Sequence, residues 1–375
     1  MRALCLGSKD AVNGTTTSPA APALRADYPD PAPAAGEALL RPTRLGVCST
    51  DLELCRGYMG FAGVLGHEFV AVVEDVADAE HRPWVGQRVV GEINCPCGAC
   101  DLCRAGVPTH CRNRTVLGIL NRDGAFADRF TLPVANLHAV PDAVEDDRAV
   151  FVEPLAAAAQ ILEQVDVADL RYVTVLGDGR LGLLCAQVLA RANPRTRCVG
   201  KHDDKLQRCE KWGVVRRPLD EAGQKRDQDL VVDCTGSASG LRTALGMVRP
   251  RGTIVLKTTV APPAPGSAPA PGNRPSPGPG STSNTAGSLA GKHENVADPG
   301  AVAAPPSTAD LAQIVIDEVT VLGSRCGPFD PALRLLAGNA VDVASLITHR
   351  ARLDDGVQAL QKAAEPGQIK VLIEP

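Results

Sequence analysis

Three separate stretches of this 375-residue chain carry side chains of the types that bind divalent metal ions. His67 and Glu68 stand together ahead of residues 69–73, a β-branched run typical of a buried strand. Cys48 precedes them and Glu153 follows. One thiolate, one imidazole and two carboxylates can hold Zn²⁺ and leave a position open for water or substrate. Taken alone, the His-Glu pair could equally be a strand-capping histidine beside a solvated glutamate, but the other two stretches favour a metal centre.

A second group consists of four cysteines with the spacing C-x2-C-x2-C-x7-C, namely Cys97, Cys100, Cys103 and Cys111. Four thiolates at this spacing can close a tetrahedron around one Zn²⁺, which is typical of a structural site. Two disulfides or a redox pair are the alternatives, and Cys95 is a spare thiol. The chain has 13 cysteines, an odd count, and its first apolar run is too short for a secretory leader. A reducing, cytoplasmic location with metal-bound thiolates is therefore expected.

A glycine-rich turn is predicted between a strand at 171–176 and a helix at 183–192. The turn contains Gly177, Asp178, Gly179, Arg180, Leu181 and Gly182. In this context the pattern predicts a dinucleotide site, with the pyrophosphate at the helix N-terminus. A tight turn that binds nothing is the alternative. Thr235 and Gly236 follow a later strand and are expected near the nicotinamide ribose.

The next predicted strand ends at Gly200, where an enzyme specific for NAD usually has an acidic residue. The cofactor-side residues that follow are Lys201, His202 and Lys205. This composition suits a 2′-phosphate and predicts NADP, with NAD as second choice. The alternative is that Asp203 or Asp204 contacts the ribose hydroxyls one turn later.

These motifs, Gly-Val-Cys-Ser-Thr-Asp with Gly-His-Glu, the four-cysteine lobe and Gly-Asp-Gly-Arg-Leu-Gly, resemble those of a known family over nearly the whole chain. The family is the zinc-dependent alcohol and polyol dehydrogenases of the medium-chain dehydrogenase/reductase superfamily. The resemblance implies that Cys48 and His67 bind zinc, that Thr50 relays the alcohol proton, and that Asp51 orients His67. It leaves open whether Glu68 or Glu153 is the third ligand, the other then standing behind water.

The elements that must position these residues divide into two domains. Residues 1–154 show short strands separated by proline and glycine, which matches the GroES-like β-barrel that the resemblance implies, with the cysteine lobe at 95–111. Residues 155–340 alternate strand and helix, which predicts an α/β Rossmann domain with a doubly wound parallel sheet. Residues 341–375 are expected to return to the first domain, so that the active site lies in the cleft between the two.

Finer predictions accompany this division. Before residue 154, strands are predicted at 2–6, 37–41, 69–74, 88–92, 116–120, 125–132 and 137–141, a loose stretch at 9–36 and a helix at 149–164. Residues 261–306 hold 11 of the 30 prolines and no aromatic residue, so we expect disorder there. A passive insert is favoured over a functional lid, and translated non-coding sequence is a further alternative.

Charge and composition limit the partners. A net charge of −4 argues against nucleic acid, and the absence of an 18-residue apolar run argues against a membrane span. The resemblance implies a small alcohol or carbonyl substrate, two zinc ions per subunit, and a homodimer or homotetramer. A non-catalytic nucleotide-binding protein and a zinc-free quinone reductase are the competing functions. The intact Cys48 and His67 disfavour the first, and the two cysteine motifs, which quinone reductases of the superfamily lack, disfavour the second.

Overall fold

The computed structural model describes residues 1–7, 21–223, 225–259 and 308–375. The stretch predicted to be disordered, 261–306, lies outside these residues. In the first 150 residues short strands predominate, as the spacing of proline and glycine predicts. They are, with three short helices, β1 (Ala3–Leu6), β2 (Pro22–Arg25), β3 (Glu37–Gly46), α1 (Ser49–Cys55), β4 (Gly63–Val64), β5 (Glu68–Val76), β6 (Arg88–Gly91), β7 (Asn94–Cys95), α2 (Asp101–Arg104), β8 (Thr115–Leu117), β9 (Asn121–Arg122), β10 (Phe130–Pro133), β11 (Leu137–Ala139) and α3 (Asp146–Ala149).

Helices and strands alternate in the second half of the chain. In order, the elements are α4 (Val152–Gln164), β12 (Val173–Leu176), α5 (Arg180–Ala192), β13 (Thr196–Gly200), α6 (Asp203–Lys211), β14 (Val215–Pro218), β15 (Gln228–Asp233), α7 (Gly240–Met247), β16 (Val248–Leu256), α8 (Thr308–Ile316), β17 (Thr320–Gly323), α9 (Phe329–Ala337), β18 (Ile347–Arg352), α10 (Gly356–Ala364) and β19 (Lys370–Glu374).

The first domain is built on a seven-stranded sheet in the order β11-β6-β5-β3-β19-β18, with β10 paired to β3. The last strand of the chain, β19, runs antiparallel to β3 and parallel to β18. Both ends of the chain therefore contribute to one sheet. Two three-stranded sheets, β2-β1-β4 and β7-β8-β9, complete the domain.

The second domain is a six-stranded sheet in the order β14-β13-β12-β15-β16-β17, and every adjacent pair in it is parallel. Strand β12 is buried along its whole length, as expected for a parallel sheet covered by helices on both faces. The chain leaves β12 in one direction toward β13 and resumes on its other side at β15. This reversal opens a crevice at the carboxyl ends of β12 and β15, where such sheets bind ligands. The predicted Rossmann architecture is confirmed.

Several local predictions need correction. The stretch 9–36 was expected to be loose, yet β2 lies within it, because β1 needs an antiparallel partner on its outer edge. The predicted strand at 125–132 is shortened to β10, and the backbone N–H groups of Ala125 and Phe126 instead bond to the carbonyls of Gly66 and Leu65. The predicted helix at 149–164 is split into α3 and α4. Within the described ranges, no helix has the length and apolarity needed to span a bilayer.

Candidate metal centre and cofactor crevice

The end of β3 and the start of β5 bring the candidate metal ligands together. These strands pair so that Gly46 lies opposite Glu68. Cys48, two residues beyond Gly46, therefore comes beside His67 and Glu68. One ligand atom from each of the three lies within 4.8 Å of the others. One sulfur, one nitrogen and one oxygen at this separation fit a Zn²⁺ site with a fourth position free.

Asp51 contacts the backbone of Cys48 and the ring of His67 from behind. It is fully buried. Its Oδ2 accepts a hydrogen bond from the backbone N–H of Cys48 at 2.8 Å, and its Oδ1 lies 3.3 Å from Nδ1 of His67, outside the alignment of a regular hydrogen bond. Burial of His67 opposes its protonation, but the charges of Asp51 and Cys48 outweigh this and raise the pKa of the ring well above its usual range in the metal-free protein. The groups around His67 therefore favour a positive charge at this position.

Glu68 is fixed by a buried lysine from the other end of the chain. Lys370 and Glu68 are 2% and 1% exposed, and their side chains form a direct ion pair. A Cβ on Gly46 would lie only 2.5 Å from Glu68 Oε2, so the space for the carboxylate exists because residue 46 is glycine. Two buried charges are tolerated because they neutralise each other.

Glu153, the other candidate ligand, is not a member of this group. It sits in the first turn of α4, and burial raises the pKa of Glu153 to about 7, with the neighbouring Glu68 charge acting in the same direction. Thr50, on α1, has its hydroxyl 3.7 Å from Cys48 Sγ. The geometry thus places Glu68 with Cys48 and His67, while Glu153 stands farther away.

The four cysteines of the lobe form a compact cluster. The sulfur of Cys111 lies 3.5 Å from that of Cys97 and 3.7 Å from that of Cys100, and Cys100 and Cys103 are 3.5 Å apart. Zn–S bonds of about 2.3 Å in a tetrahedron require sulfur separations of about 3.8 Å. All four are free thiols, and the separations far exceed a disulfide bond. The lobe therefore fits one zinc ion.

Backbone amides around the lobe favour the thiolate form that a metal requires. The N–H of Ala99 lowers the pKa of Cys97. The N–H of Cys103 lowers the pKa of Cys100 to about 6. Cys95, the spare cysteine, is buried on β7 with its thiol bonded to the carbonyl of Ile93.

The glycine turn adopts the shape that a dinucleotide needs. Gly177 has φ +116°, and a Cβ on Gly182 would lie 2.0 Å from the carbonyl oxygen of Gly177, so helix α5 packs closely on β12. A Cβ on Gly179 would meet nothing within 4 Å, which leaves its backbone open to the crevice. Leu181 is half-buried against the core. Across the crevice, the N–H of Gly236 bonds to the hydroxyl of Thr258 at 2.8 Å.

Residues 34–142 match the alcohol dehydrogenase GroES-like domain. L-threonine 3-dehydrogenase of Coxiella burnetii is 30% identical over 243 residues, 60% of this chain and 70% of that protein. Sorbitol dehydrogenase of Halalkalibacterium halodurans is 24% identical over 367 residues, 93% of this chain and 94% of its own. The chain belongs to the zinc-dependent alcohol and polyol dehydrogenases of the medium-chain superfamily.

Solved structures agree on the fold of this dehydrogenase. A Sinorhizobium meliloti 1021 protein described as a zinc-binding dehydrogenase and bound to NADP superposes with a TM-score of 0.75 at 24% identity, covering 100% of this chain and 99% of that one. At this identity the likeness establishes the architecture.

Asp178, which the sequence assigned to the glycine turn, has its carboxylate at the end of β13, a position that the sequence did not predict. Asp178 is buried, its Oδ2 accepts from the backbone N–H of His202 at 2.6 Å, and its Oδ1 lies 3.0 Å from Nδ1 of His202. A Cβ on Gly200 would lie 2.3 Å from Asp178 Oδ2. The premise that this end lacks a carboxylate is therefore wrong: the glycine at 200 makes room for one contributed by the glycine turn.

The cationic side chains near this carboxylate differ in their exposure to solvent. Lys201 and His202 are exposed at the end of β13, but Lys205 is 9% exposed on the first turn of α6, and within the described ranges it has no charged partner. Asp203 is paired with Arg216. Asp204 is exposed.

Sequence reasoning also missed the packing that holds the loop in front of His67. Gly66 has φ +95°, and a Cβ there would lie 2.2 Å from the ring of Phe126. Cβ atoms on Gly118 and Gly124 would each lie 2.3 Å from the carbonyl oxygen of Gly66. Three glycines and one phenylalanine therefore fix the backbone ahead of the histidine. The glycines are visible in the sequence, but their convergence on one loop is not.

Proposed function

We propose that this dehydrogenase transfers hydride between an alcohol or polyol, or the matching carbonyl compound, and NADP(H), with one catalytic and one structural zinc ion. The observation that carries the proposal is the convergence of Cys48, His67 and Glu68 on one buried point. The metal supplies Lewis-acid polarisation of the substrate oxygen. The glycine turn at 177–182 would hold the dinucleotide, which would accept or donate the hydride.

The side chains around that point have distinct roles in the proposal. Cys48, His67 and Glu68 would hold the metal, and Asp51 keeps the first two in place. The ion pair with Lys370 fixes Glu68 and leaves its second oxygen for the metal. The Thr50 hydroxyl lies 3.7 Å from Cys48 Sγ and would take up the proton of a substrate hydroxyl bound beside it.

Glu153 completes the pocket as a proton-holding group. Because burial raises the pKa of Glu153 to about 7, its carboxyl is poised to exchange protons near neutral pH. In this arrangement Glu153 bonds a water molecule, and Glu68 is the direct ligand.

Our preference for NADP rests on the surroundings of Asp178. Both oxygens of this carboxylate are engaged by the backbone N–H and the ring of His202, which holds the ring at the open end of β13. Exposed Lys201 and the nine-tenths buried Lys205 add positive charge on the same side. A lysine meets a phosphate as a point charge, so the preference should be moderate, about tenfold to a few hundredfold.

A second candidate is an NAD-dependent enzyme of the same fold. It is favoured by the same Asp178 carboxylate, which stands where a ribose acceptor is needed and would repel a 2′-phosphate. The deciding measurement is kcat/KM for NADP⁺ and NAD⁺ in wild type and in Lys201→Ala. Loss of an NADP⁺ preference in the variant supports the first candidate, and a wild type that prefers NAD⁺ supports the second.

The activity itself is tested by screening NADPH oxidation against ketones, aldehydes and ketoses. Cys48→Ser serves as the metal-site variant. Turnover in wild type and none in the variant supports the proposal. A protein that binds dinucleotide but turns over no member of the panel would indicate the non-catalytic alternative.

A further inference from the structure

One residue of the glycine turn is directed away from the dinucleotide crevice. Arg180 is the first residue of α5, yet all the hydrogen bonds of its guanidinium go to the other domain. Its Nε donates to the carbonyl of Ile369 and its Nη2 to the carbonyl of Ala363, both at 2.5 Å, and its Nη1 donates to the hydroxyl of Ser49 at 2.9 Å. Three bonds from one planar group to three separate segments define its orientation.

The helix electrostatics explain this direction. A cation at the N-terminus of α5 is disfavoured by the helix dipole. Ala363 lies in the last turn of α10, where carbonyl groups lack helical partners and the dipole favours positive charge. By reaching across, the guanidinium satisfies one of those acceptors, the Ala363 carbonyl, and leaves the amides at the start of α5 free for an anion.

Two hydrogen-bond partners of Arg180 are next in sequence to residues that form or support the metal centre. Ser49 stands between Cys48 and Thr50. Ile369 directly precedes Lys370, whose ammonium is paired with Glu68. A displacement of Arg180 would therefore change the positions of the thiolate ligand, the proton-accepting hydroxyl and the carboxylate ligand together.

We propose that Arg180 is a positioning residue that locks the dinucleotide turn onto the first turn of α1 and the start of β19. Occupancy of the turn and the placement of Cys48, Thr50 and Glu68 are then coupled, and the coupling is reciprocal. This inference rests on the proposed function only for its kinetic consequence, since the mechanical coupling exists with or without turnover.

The mechanical test is amide hydrogen exchange on the intact protein with and without NADPH. In wild type we expect NADPH to slow exchange in both α5 and α1. In Arg180→Ala and Arg180→Lys the slowing should be confined to α5, because lysine keeps the charge but cannot make three directed bonds. Arg191→Ala, on the same helix but bonded to the carbonyl of Ala340, is the matched control and should behave like wild type. Slowing of α1 that persists in both Arg180 variants would overturn the proposal.

The kinetic test separates positioning from direct phosphate binding. At saturating dinucleotide, we expect kcat to fall about 10- to 100-fold in Arg180→Ala, as for a misplacement near 1 Å. The deuterium isotope effect on kcat should rise, while the Kd for NADPH changes less than kcat does. Ser49→Ala should show the same pattern more weakly and serves if Arg180→Ala fails to fold. A higher Kd with unchanged kcat would overturn positioning in favour of a simple phosphate ligand.

Failure of the two proposals can be told apart. A wild type inert toward every substrate would refute the dehydrogenase function, while the exchange experiment would still decide the role of Arg180. An active wild type whose Arg180 variants retain kcat and the exchange response would refute the inference alone.

Discussion

The two candidate metal sites of this dehydrogenase are built in opposite ways. The cysteine lobe takes all four sulfurs from residues 97–111, and Cys97 is exposed. The centre at Cys48, His67 and Glu68 draws on strands from both ends of the chain, and its imidazole and carboxylate are buried. The lobe has only short elements of its own, such as the four-residue α2, whereas the buried centre is held by Asp51 and Lys370. A closed ligand set can therefore stabilise its own loop, and an open ligand set must be stabilised by the fold.

The largest expected effect comes from removing a ligand of the open centre. Cys48→Ser should lower kcat/KM by about a thousandfold or more, because removal of Lewis-acid polarisation costs several kcal/mol of barrier. The melting temperature should change little, since Asp51 and the β3–β5 ladder remain. Steady-state kinetics and calorimetry measure the two quantities.

Cys55→Ser is the matched control. Cys55 is the last residue of α1, the helix that Cys48 directly precedes, and it is not one of the candidate metal ligands. It should keep activity and metal. Equal losses in the two variants would show that the effect came from α1 rather than from the ligand.

The reverse pattern is expected in the lobe. Cys103→Ser should release one zinc ion and lower the melting temperature, because metal binding supplies the folding free energy of such loops. Residual activity should persist, since the buried centre is intact. Metal analysis together with calorimetry measures this.

Cys95→Ser, at the first residue of the lobe but outside the four-cysteine cluster, should retain both metal ions. If Cys103→Ser retains two zinc ions and an unchanged melting temperature, the proposed contrast between the lobe and the buried centre is wrong.

A smaller difference between the two sites, in the free energy of unfolding, is expected when a glycine at each site is replaced by alanine. Gly66→Ala places a Cβ against the Phe126 ring at a residue with φ +95°, and should cost about 3 kcal/mol or more from overpacking and left-handed strain. Gly98→Ala in the lobe has φ +73° but open space, and should cost about 1–2 kcal/mol. Denaturant unfolding compares them. Equal costs would mean that the loop before His67 is not rigidly packed.

The smallest effect concerns a group that belongs to neither metal site. His138 lies 3.2 Å from both Glu92 and Asp330, and these contacts raise the pKa of His138 above its usual value, with the bond to Glu92 contributing most. A raised pKa means that its stabilisation is complete below about pH 6.5 and is lost as the pH rises through the folded-state value. His138→Gln should therefore lose about 1 kcal/mol at pH 6 and less at pH 9. A loss independent of pH would contradict the ion-pair account.

Periodicity and motif spacing predicted the Rossmann sheet, the cysteine lobe and the neighbourhood of Cys48 and His67, because each depends on residues close in sequence. The grouping of Glu68 rather than Glu153 with Cys48 and His67 could not be predicted, since Glu68 is held by Lys370, 302 positions away along the chain. Asp178 was assigned to the turn, but its contact with Gly200 depends on how β12 and β13 align. Arg180 was expected to face the cofactor, yet its partners lie in another domain. Long-range pairing of polar groups is what local patterns leave undetermined.

The central claim is that two zinc ions occupy two differently built sites, and that the open one lies among Cys48, His67 and Glu68. Anomalous diffraction at the zinc edge on crystals of enzyme with measured activity tests this directly. The account predicts two peaks per subunit, one surrounded by the four lobe sulfurs and one within bonding distance of Cys48, His67 and Glu68, with Glu153 farther away. A fully active enzyme with a single peak at the lobe would contradict it.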